Sequence, residues 1–338
     1  MRDSIGYSPS GAIIPKGSDF TDSLDGTSLT IGQFSATRSN ALGRLSLAVS
    51  GCKSLTVFVL SNVALGGVDC IVGVEIDGTW STGLQPLAQG SLESFTIALD
   101  GKAHTVDLIN GWNSGGTIVA LVHSVAWQGG TVSINQNPRV AKRLVVYGDS
   151  ISVGAVAAPI PRYGWVSRLR ADYVGRISMQ GWGGLQLWDE ISGTAGSVGS
   201  IAGLVQRIVD LFFGSPARIL WDAIGINDWA AGNWTAAQFG AALTTLYNAI
   251  HAIDPTVQIY SQTPIITGGG TEAYTNAKGE VPGAFRTAKA AASAGMSWVT
   301  VVDGTTLVTE ADLGPGGIHP TTAGQAAMYT SIKAILQL

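Results

Sequence analysis

The stretch Leu144-Val-Val-Tyr-Gly-Asp-Ser-Ile-Ser-Val-Gly154 decides how the second part of the chain folds. Its four apolar or aromatic residues run directly into Gly148, Asp149 and Ser150, a pattern typical of a buried parallel strand that ends in a turn. Ser150 then follows the carboxyl end of that strand, where open α/β sheets bind their ligands. A serine in this position is either a nucleophile or the N-cap of the next helix.

The residues around this stretch alternate between apolar strands and helical patterns. In the Thr235 helix, Phe239, Leu243, Leu246 and Ile250 share one face, and Asp254-Pro255 ends it. Such alternation predicts an α/β domain whose parallel sheet is covered on both sides. The five predicted strands are Leu144–Tyr147, Val174–Ser178, Ala217–Ile224, Val257–Tyr260 and Trp298–Val302.

Between residues 20 and 132 the pattern has period two and is rich in β-branched residues. Many short strands separated by glycine turns predict an all-β sandwich, jelly-roll-like in type. Of its turns, Asp100-Gly-Lys102 is expected to close a hairpin. A polar linker at Ser133–Arg139 places the domain boundary, giving residues 1–137 as the β-sandwich and 138–338 as the α/β domain. The predicted strands are Leu45–Val49, Leu55–Leu60, Ile71–Ile76, Ser94–Leu99, His104–Ile109 and Ile118–Val122.

Composition excludes several classes of partner. Of the 338 residues, 46% are hydrophobic and 12% are charged, which argues against disorder. The net charge is -4 and no Lys/Arg cluster is present, so neither nucleic acid nor an anionic membrane is expected as a partner. No apolar stretch is long enough to span a bilayer, and the protein is expected to be soluble.

The compartment and the oligomeric state stay open at this point. The N-terminus lacks the apolar core of a signal peptide, so either the chain is cytoplasmic or a secretory leader has been removed. Cys52 and Cys70 could form a disulfide, and they could equally be two small buried thiols.

Polar residues follow several of the predicted strands. Gly181 follows the second strand, Asn227 follows the third, and His319 precedes the last helix. On one edge of the sheet they would give Ser150 a base, His319, together with an amide donor and a close-approach backbone N–H, which is the set that acyl transfer needs. Each has a structural alternative, as a turn glycine, a helix cap or a partly buried histidine. Their joint occurrence in this order favours the catalytic interpretation.

These motifs resemble those of the SGNH hydrolases, or GDSL-type esterases and lipases, over residues 142–338. Gly148-Asp149-Ser150 matches the first block, Gly181 the oxyanion glycine of the second, and Gly225-Ile-Asn227-Asp228 the third. The resemblance implies a flavodoxin-like three-layer αβα fold. It also implies that Ser150, His319, Gly181 and Asn227 are catalytic. The last block, normally Asp-x-x-His-Pro, keeps His319-Pro320 but has Gly316 in the place of the acid.

The preceding β-sandwich, with the segment Asp100–Leu108, is similar to that of carbohydrate esterase family two. That resemblance implies an acetyl ester of a carbohydrate as substrate. Trp182, Trp229 and Asp149 are assigned to substrate binding, with the alternative that the tryptophans only pack the loops. We find no metal-ligand cluster and no phosphate-binding glycine loop, so no metal or cofactor is expected.

The sequence therefore predicts a serine esterase that hydrolyses short-chain esters, acetyl esters of carbohydrates in particular, on a small-molecule or polysaccharide substrate. The alternatives are a GDSL-type lipase or acyltransferase on other esters, and a degenerate module that only binds glycan. For the missing acid we favour a Ser–His dyad in which a backbone carbonyl accepts the His319 Nδ1–H. A displaced acid, Asp312, Glu310 or Asp303, is the alternative.

Overall fold

The structure is a computed structural model, and its described residues form two compact units. Met1–Pro138 and Pro159–Arg162 make up one unit, and Arg139–Ala158 with Tyr163–Leu338 make up the other. The described residues are 6–7, 13–14, 28–30, 44–61, 70–81, 85–87, 92–109, 120–134, 142–157, 163–173, 176–181, 183–193, 198–212 and 216–338.

The described part of the first unit consists of antiparallel strands. One sheet has the order β12-β4-β10-β6-β7 with β8 beside β6, a second has the order β3-β11-β5-β9, and β1 pairs with β2. The strands are β1 Gly6–Tyr7, β2 Ile13–Ile14, β3 Ser28–Thr30, β4 Arg44–Ser50, β5 Ser54–Ser61, β6 Cys70–Ile76, β7 Thr79–Trp80, β8 Gln85–Leu87, β9 Leu92–Ala98, β10 His104–Ile109, β11 Ala120–Gln128 and β12 Thr131–Ile134.

Alternate residues of these strands form a single core. Leu47 and Val106 of one sheet and Val57 and Val125 of the other belong to the same buried cluster. The two sheets therefore bury one face each against a shared interior, as the period-two pattern requires. The prediction of a β-sandwich is confirmed.

The turn at Asp100-Gly-Lys102 was wrongly predicted as a hairpin. Strand β9 before it pairs with β5, and β10 after it pairs with β4 and β6, so the turn joins strands of different sheets. His104, at the start of β10, lies between two acidic side chains, with Nδ1 2.7 Å from Asp77 Oδ2 and Nε2 2.8 Å from Asp100 Oδ1. Unlike the Asp100 turn, Asp77-Gly78 closes a two-residue hairpin between β6 and β7, with φ of 51° and 77°.

Cys52 is a free, buried thiol in the first unit. Its Sγ lies 3.4 Å from the Thr131 carbonyl oxygen, and burial raises the pKa of the thiol. It therefore forms no disulfide, which leaves the buried-thiol alternative for this residue. The side chain of Cys70 lies outside the described residues.

The second unit contains a five-stranded parallel sheet in the order β14-β13-β15-β16-β17. This order, with the first strand second from the edge, is that of the flavodoxin-like sheets, and it confirms the predicted fold class. The central residues Leu144–Tyr147 are completely buried, since helices cover both faces of the sheet. The strands are β13 Lys142–Gly148, β14 Arg176–Gly181, β15 Ala217–Asp222, β16 Val257–Gln262 and β17 Val299–Val302.

The helices of this unit fall into two groups by their contacts. Helix α2 packs against α8, while α6 packs against both α4 and α7. Right-handed crossovers put these two groups on opposite faces of the sheet. The helices are α1 Ser150–Val153, α2 Trp165–Asp172, α3 Leu187–Ser192, α4 Ile201–Asp210, α5 Ile226–Ala231, α6 Ala236–Ile253, α7 Pro282–Ala292 and α8 Thr322–Ile335, with 3-10 turns at Thr271–Ala273, Gly304–Thr306 and Glu310–Asp312.

Helix starts agree with the capping residues of the sequence. Thr235 and Gln238 form a capping box at the start of α6, and the Thr321 hydroxyl accepts the Gly324 N–H at the start of α8. Helices α3 and α5 were not predicted, because six residues are too few to establish a helical period. Within the part of the chain that the structure describes, no helix has the length and apolar character needed to cross a membrane.

Candidate active site

Ser150 begins the short helix α1 directly beyond the carboxyl end of β13. Asp149 is the N-cap of this helix, and its Oδ1 accepts the Ile151 N–H at 2.9 Å. Gly154 ends the helix in a left-handed conformation, with φ of 92°. The Ser150 residue is only 9% exposed, so it is largely buried at this edge of the sheet.

His319 is held by a tight turn before α8. Leu313 pairs with Pro320, the Gly314 N–H donates to the His319 carbonyl oxygen at 2.8 Å, and the Gly317 N–H donates to Gly314 O at 3.0 Å. These bonds fix the backbone on both sides of the imidazole. The position of the His319 backbone is therefore set by this turn.

The structure brings His319 and Ser150 together across 169 residues of chain. The Ser150 Oγ lies 2.8 Å from the His319 Nε2. Burial lowers the pKa of His319 below its ordinary value, so the neutral imidazole dominates at pH 7. A neutral Nε2 at this distance can accept the hydroxyl proton, which is the first requirement of a serine nucleophile.

Two of the three carboxylates considered as displaced acids, Asp312 and Asp303, have other hydrogen-bonding partners. The Asp312 carboxylate accepts the Thr309 N–H at 2.8 Å and the Thr309 hydroxyl at 2.7 Å, and these bonds lower its pKa. Asp303 accepts the Thr305 N–H at 2.9 Å in the same way. Among the described residues, the His319 ring hydrogen-bonds to Ser150 and to no carboxylate.

Gly316 shows why an acid is absent from the expected position. Its φ is +89°, in the left-handed region that side-chain-bearing residues rarely adopt. The turn that carries His319 therefore favours glycine at this point. An aspartate here would strain the turn on which the position of the imidazole depends.

Gly181 lies beside the strand that leads to the nucleophile. It is paired in register with Gly148, and a Cβ on Gly181 would lie 1.7 Å from the Gly148 carbonyl oxygen. No side chain can occupy that position without moving backbone. The close approach explains why glycine ends β14 and why its backbone can lie near Ser150.

Asn227 lies in the first turn of α5, after a strand-to-helix turn at Gly225, whose φ is +130°. Its Nδ2 donates to Asp149 Oδ2 and to the Leu185 carbonyl oxygen, both at 3.2 Å. Asn227 is therefore held against the residue that precedes the nucleophile. To donate to a third oxygen, such as an oxyanion, the Asn227 Nδ2 must share or give up one of these two long hydrogen bonds.

Asp149 has a different environment from the one expected of a substrate-binding residue. It is completely buried, and burial raises the pKa of its carboxyl group to about 7. Its two oxygens accept the Ile151 N–H and the Asn227 side chain. This placement argues against substrate contact, since the carboxylate connects the nucleophile helix to the Asn227 amide.

Trp229 also lies deeper than predicted. It is 6% exposed, and its Nε1–H donates to the Glu280 carbonyl oxygen at 2.8 Å. This fits the alternative that Trp229 packs the loop rather than stacking on a substrate. Trp182 lies outside the described residues.

Two buried charged residues near the site were given no role in the sequence analysis. Asp228 accepts the N–H groups of Leu187 and Trp188, both at 3.2 Å, and so caps α3. Lys289, on α7, pairs with Asp222 at 3.0 Å. The Asp228 motif position was visible in the sequence, but a single lysine in a predicted helix carries no signal of burial. In the described part of the chain, no group of three or more His, Cys, Asp or Glu side chains is arranged to hold a metal ion.

We expect Asn227→Ala to lower kcat by roughly a hundredfold with little change in KM, because an oxyanion donor acts mainly in the transition state. Steady-state kinetics with a soluble ester measure this. Asn233→Ala is a matched control, since Asn233 Nδ2 donates to Gln186 Oε1 at 3.0 Å on an exposed part of the same region. An Asn227→Ala enzyme with the wild-type kcat would show that the amide only holds Asp149 and Leu185 in place.

Comparisons with known proteins identify a family and a fold for the chain. The sequence model of the GDSL-like lipase/acylhydrolase family matches residues 146–327. No curated protein sequence matches the chain.

Many solved structures share its fold, including the following three. The salicylyl-acyltransferase SsfX3 from a tetracycline biosynthetic pathway is 15% identical, with a TM-score of 0.67 over 90% of this chain and 85% of its own. A carbohydrate esterase family 2 enzyme with its carbohydrate-binding domain, from Corynascus thermopiles (Myceliophthora fergusii), is 16% identical, with a TM-score of 0.60 over 92% of this chain and 100% of its own. The acetyl xylan esterase Est2A from Butyrivibrio proteoclasticus is 12% identical, with a TM-score of 0.59 over 92% and 95%.

Proposed function

Because the chain belongs to the GDSL-like lipase/acylhydrolase family, we propose that it is a serine esterase that hydrolyses short-chain esters, in particular acetyl esters of carbohydrates. The observation that carries the proposal is the 2.8 Å approach of Ser150 Oγ to His319 Nε2. A buried hydroxyl beside an uncharged imidazole is the arrangement that nucleophilic ester cleavage requires.

The proposed reaction has two steps. His319 Nε2 takes the Ser150 proton as Oγ attacks the acyl carbon, and the resulting oxyanion accepts the backbone N–H groups of Ser150 and Gly181 and the Asn227 amide. The alcohol leaves with the proton from His319. Water then attacks the acyl-enzyme by the same route and releases the acid. A backbone carbonyl or solvent accepts the His319 Nδ1–H, which makes the pair a dyad.

Two features support the short acyl chain and the carbohydrate alcohol. Ser150 is recessed, and the backbone of Gly181 lies close to the strand end before it, which favours a small acyl group. The likeness to carbohydrate esterases extends over the β-rich unit as well as the α/β unit, which supports a carbohydrate substrate.

The test is a comparison of p-nitrophenyl acetate with a long-chain p-nitrophenyl ester at equal soluble concentration, together with acetate release from acetylated xylan. We expect the acetyl esters to be cleaved faster and Ser150→Ala to be inactive on both. Faster cleavage of the long-chain ester would instead support a lipase. Absence of any Ser150-dependent turnover would support a module that only binds glycan. Adding a second alcohol and analysing the products separates hydrolysis from acyl transfer.

A further inference from the structure

Lys289 is a completely buried lysine on α7. Its ammonium group has three hydrogen-bonding partners, which equals its number of N–H donors. They are the Ile224 carbonyl oxygen at 2.8 Å, the Asp222 carbonyl oxygen at 3.3 Å and the Asp222 Oδ1 at 3.0 Å. Two of the three are backbone atoms of the same short segment.

That segment, Asp222–Ile224, leads from the end of β15 towards α5 and ends three residues before Asn227. Asp222 Oδ1 also accepts the Ile224 N–H at 3.1 Å, and the Ala223 N–H donates to the Tyr147 carbonyl oxygen at 2.8 Å. The next residue in the chain is Gly225, whose φ is +130°. Lys289 therefore contacts the turn whose geometry decides where α5 starts and where the Asn227 amide lies.

A charged lysine is a costly way to fill this space. Burial lowers the pKa of Lys289, and the buried carboxylates Asp222, Asp228 and Asp149 oppose that effect. An apolar side chain of similar volume is often at least as stabilising as a buried ion pair. Only a cation with several N–H donors can both contact these carbonyl oxygens and offset the negative charge of three buried carboxylates.

We propose that Lys289 is a positioning residue for the oxyanion side of the site: through the backbone of Asp222–Ile224 it holds the Asn227 amide in place. This inference rests on the proposed esterase function. Lys289 itself acts only through the turn and through Asp149, whose carboxylate accepts the Asn227 N–H.

A double-mutant cycle tests the inference. We expect Lys289→Met to lower kcat by about tenfold to a hundredfold with little change in KM, because a displacement of about 1 Å can cost two orders of magnitude. In the Asn227→Ala background, Lys289→Met should change kcat by less than about threefold, since the amide that it positions is already absent. Equal effects in both backgrounds would overturn the proposal.

Tyr247→Phe is the matched control. The Tyr247 hydroxyl donates to the other oxygen of Asp222 at 2.5 Å and lies 2.8 Å from Ser261 Oγ, so its removal disturbs the same cluster but leaves the Lys289 contacts with the backbone. We expect a lower Tm and a kcat within about threefold of wild type. If Tyr247→Phe lowers kcat as much as Lys289→Met does, general destabilisation explains both and the proposal fails.

The pH dependence of kcat provides a second test, because a loss of packing alone does not change it. Removing the positive charge raises the pKa of Asp149 and Asp228, each already raised to about 7 by burial. Because the Asp149 carboxylate accepts the Asn227 N–H, its protonation weakens the hold on the amide, so the acid limb of kcat should move to higher pH in Lys289→Met. Tyr247→Phe should leave it in place. An unmoved limb in Lys289→Met counts against the proposal. The charged and titratable groups of this region are Asp149, Asp222, Asp228, Tyr147, Tyr247, Glu190 and Arg207.

If Lys289→Met does not fold, as judged by circular dichroism, Asp222→Asn replaces it in the cycle. This change keeps the shape of the side chain and removes its charge, so a smaller loss of kcat with the same lack of additivity is expected. An additive effect or an unchanged kcat would again overturn the inference. Failure of the proposed function gives a different result, because the wild-type enzyme would then show no turnover that depends on Ser150.

Discussion

His319→Ala is expected to lower kcat on ester substrates by about four orders of magnitude or more. The His319 Nε2 lies 2.8 Å from the Ser150 Oγ and is the hydrogen-bonding partner of that hydroxyl in the structure. Without the imidazole, the serine proton has no acceptor as the acyl carbon is attacked, and the departing alcohol has no proton donor. Pre-steady-state and steady-state kinetics measure the loss of acylation.

Asp312→Asn is the matched comparison for that prediction. The Asp312 carboxylate caps the turn at Thr309, so we expect a loss of less than about tenfold in kcat. Of the candidates for a displaced acid, Asp312 is the one closest to His319 in the sequence. A loss as large as that of His319→Ala, in a variant that circular dichroism shows to be folded, would replace the dyad with a triad.

Gly181→Ala is expected to lower kcat by roughly a thousandfold and to reduce the Tm. A Cβ at this position would lie 1.7 Å from the Gly148 carbonyl oxygen, and both atoms belong to the backbone or are fixed to it. The two strand ends must therefore move apart, which displaces the Gly181 N–H and the turn before Ser150 together. A shift of about 1 Å in such donors costs about two orders of magnitude by itself.

Gly283→Ala provides the control for Gly181→Ala. Gly283 lies in α7, and a Cβ there would have Val281 Cγ2 at 3.9 Å as its neighbour, so we expect unchanged kcat and an equal or slightly higher Tm. If Gly181→Ala keeps both the kcat and the Tm of the wild type, the close packing of the two strand ends is irrelevant to the site.

Much of the fold follows from local sequence periodicity. The buried run Leu144–Tyr147, the helical face of Phe239–Ile250 and the alternating strands of the first unit all lie in elements of the predicted type. Such patterns depend on residues a few positions apart, and each element must bury one face or stripe, so the pattern identifies the element. The same information does not say which strands pair. For this reason a hairpin was predicted at Asp100, where the chain passes from one sheet to the other.

For the site, the sequence by itself determined which residue types follow the strands, and hence that a serine, a histidine, an asparagine and a glycine could meet on one sheet edge. Only the tertiary structure decided the distances and the burial. It places Ser150 against His319, buries Asp149 and Trp229, and holds Asp222–Ile224 with Lys289. The physical reason is that the sequence pattern reports local conformation. Burial, hydrogen-bond partners and pKa shifts depend on groups brought together from distant parts of the chain.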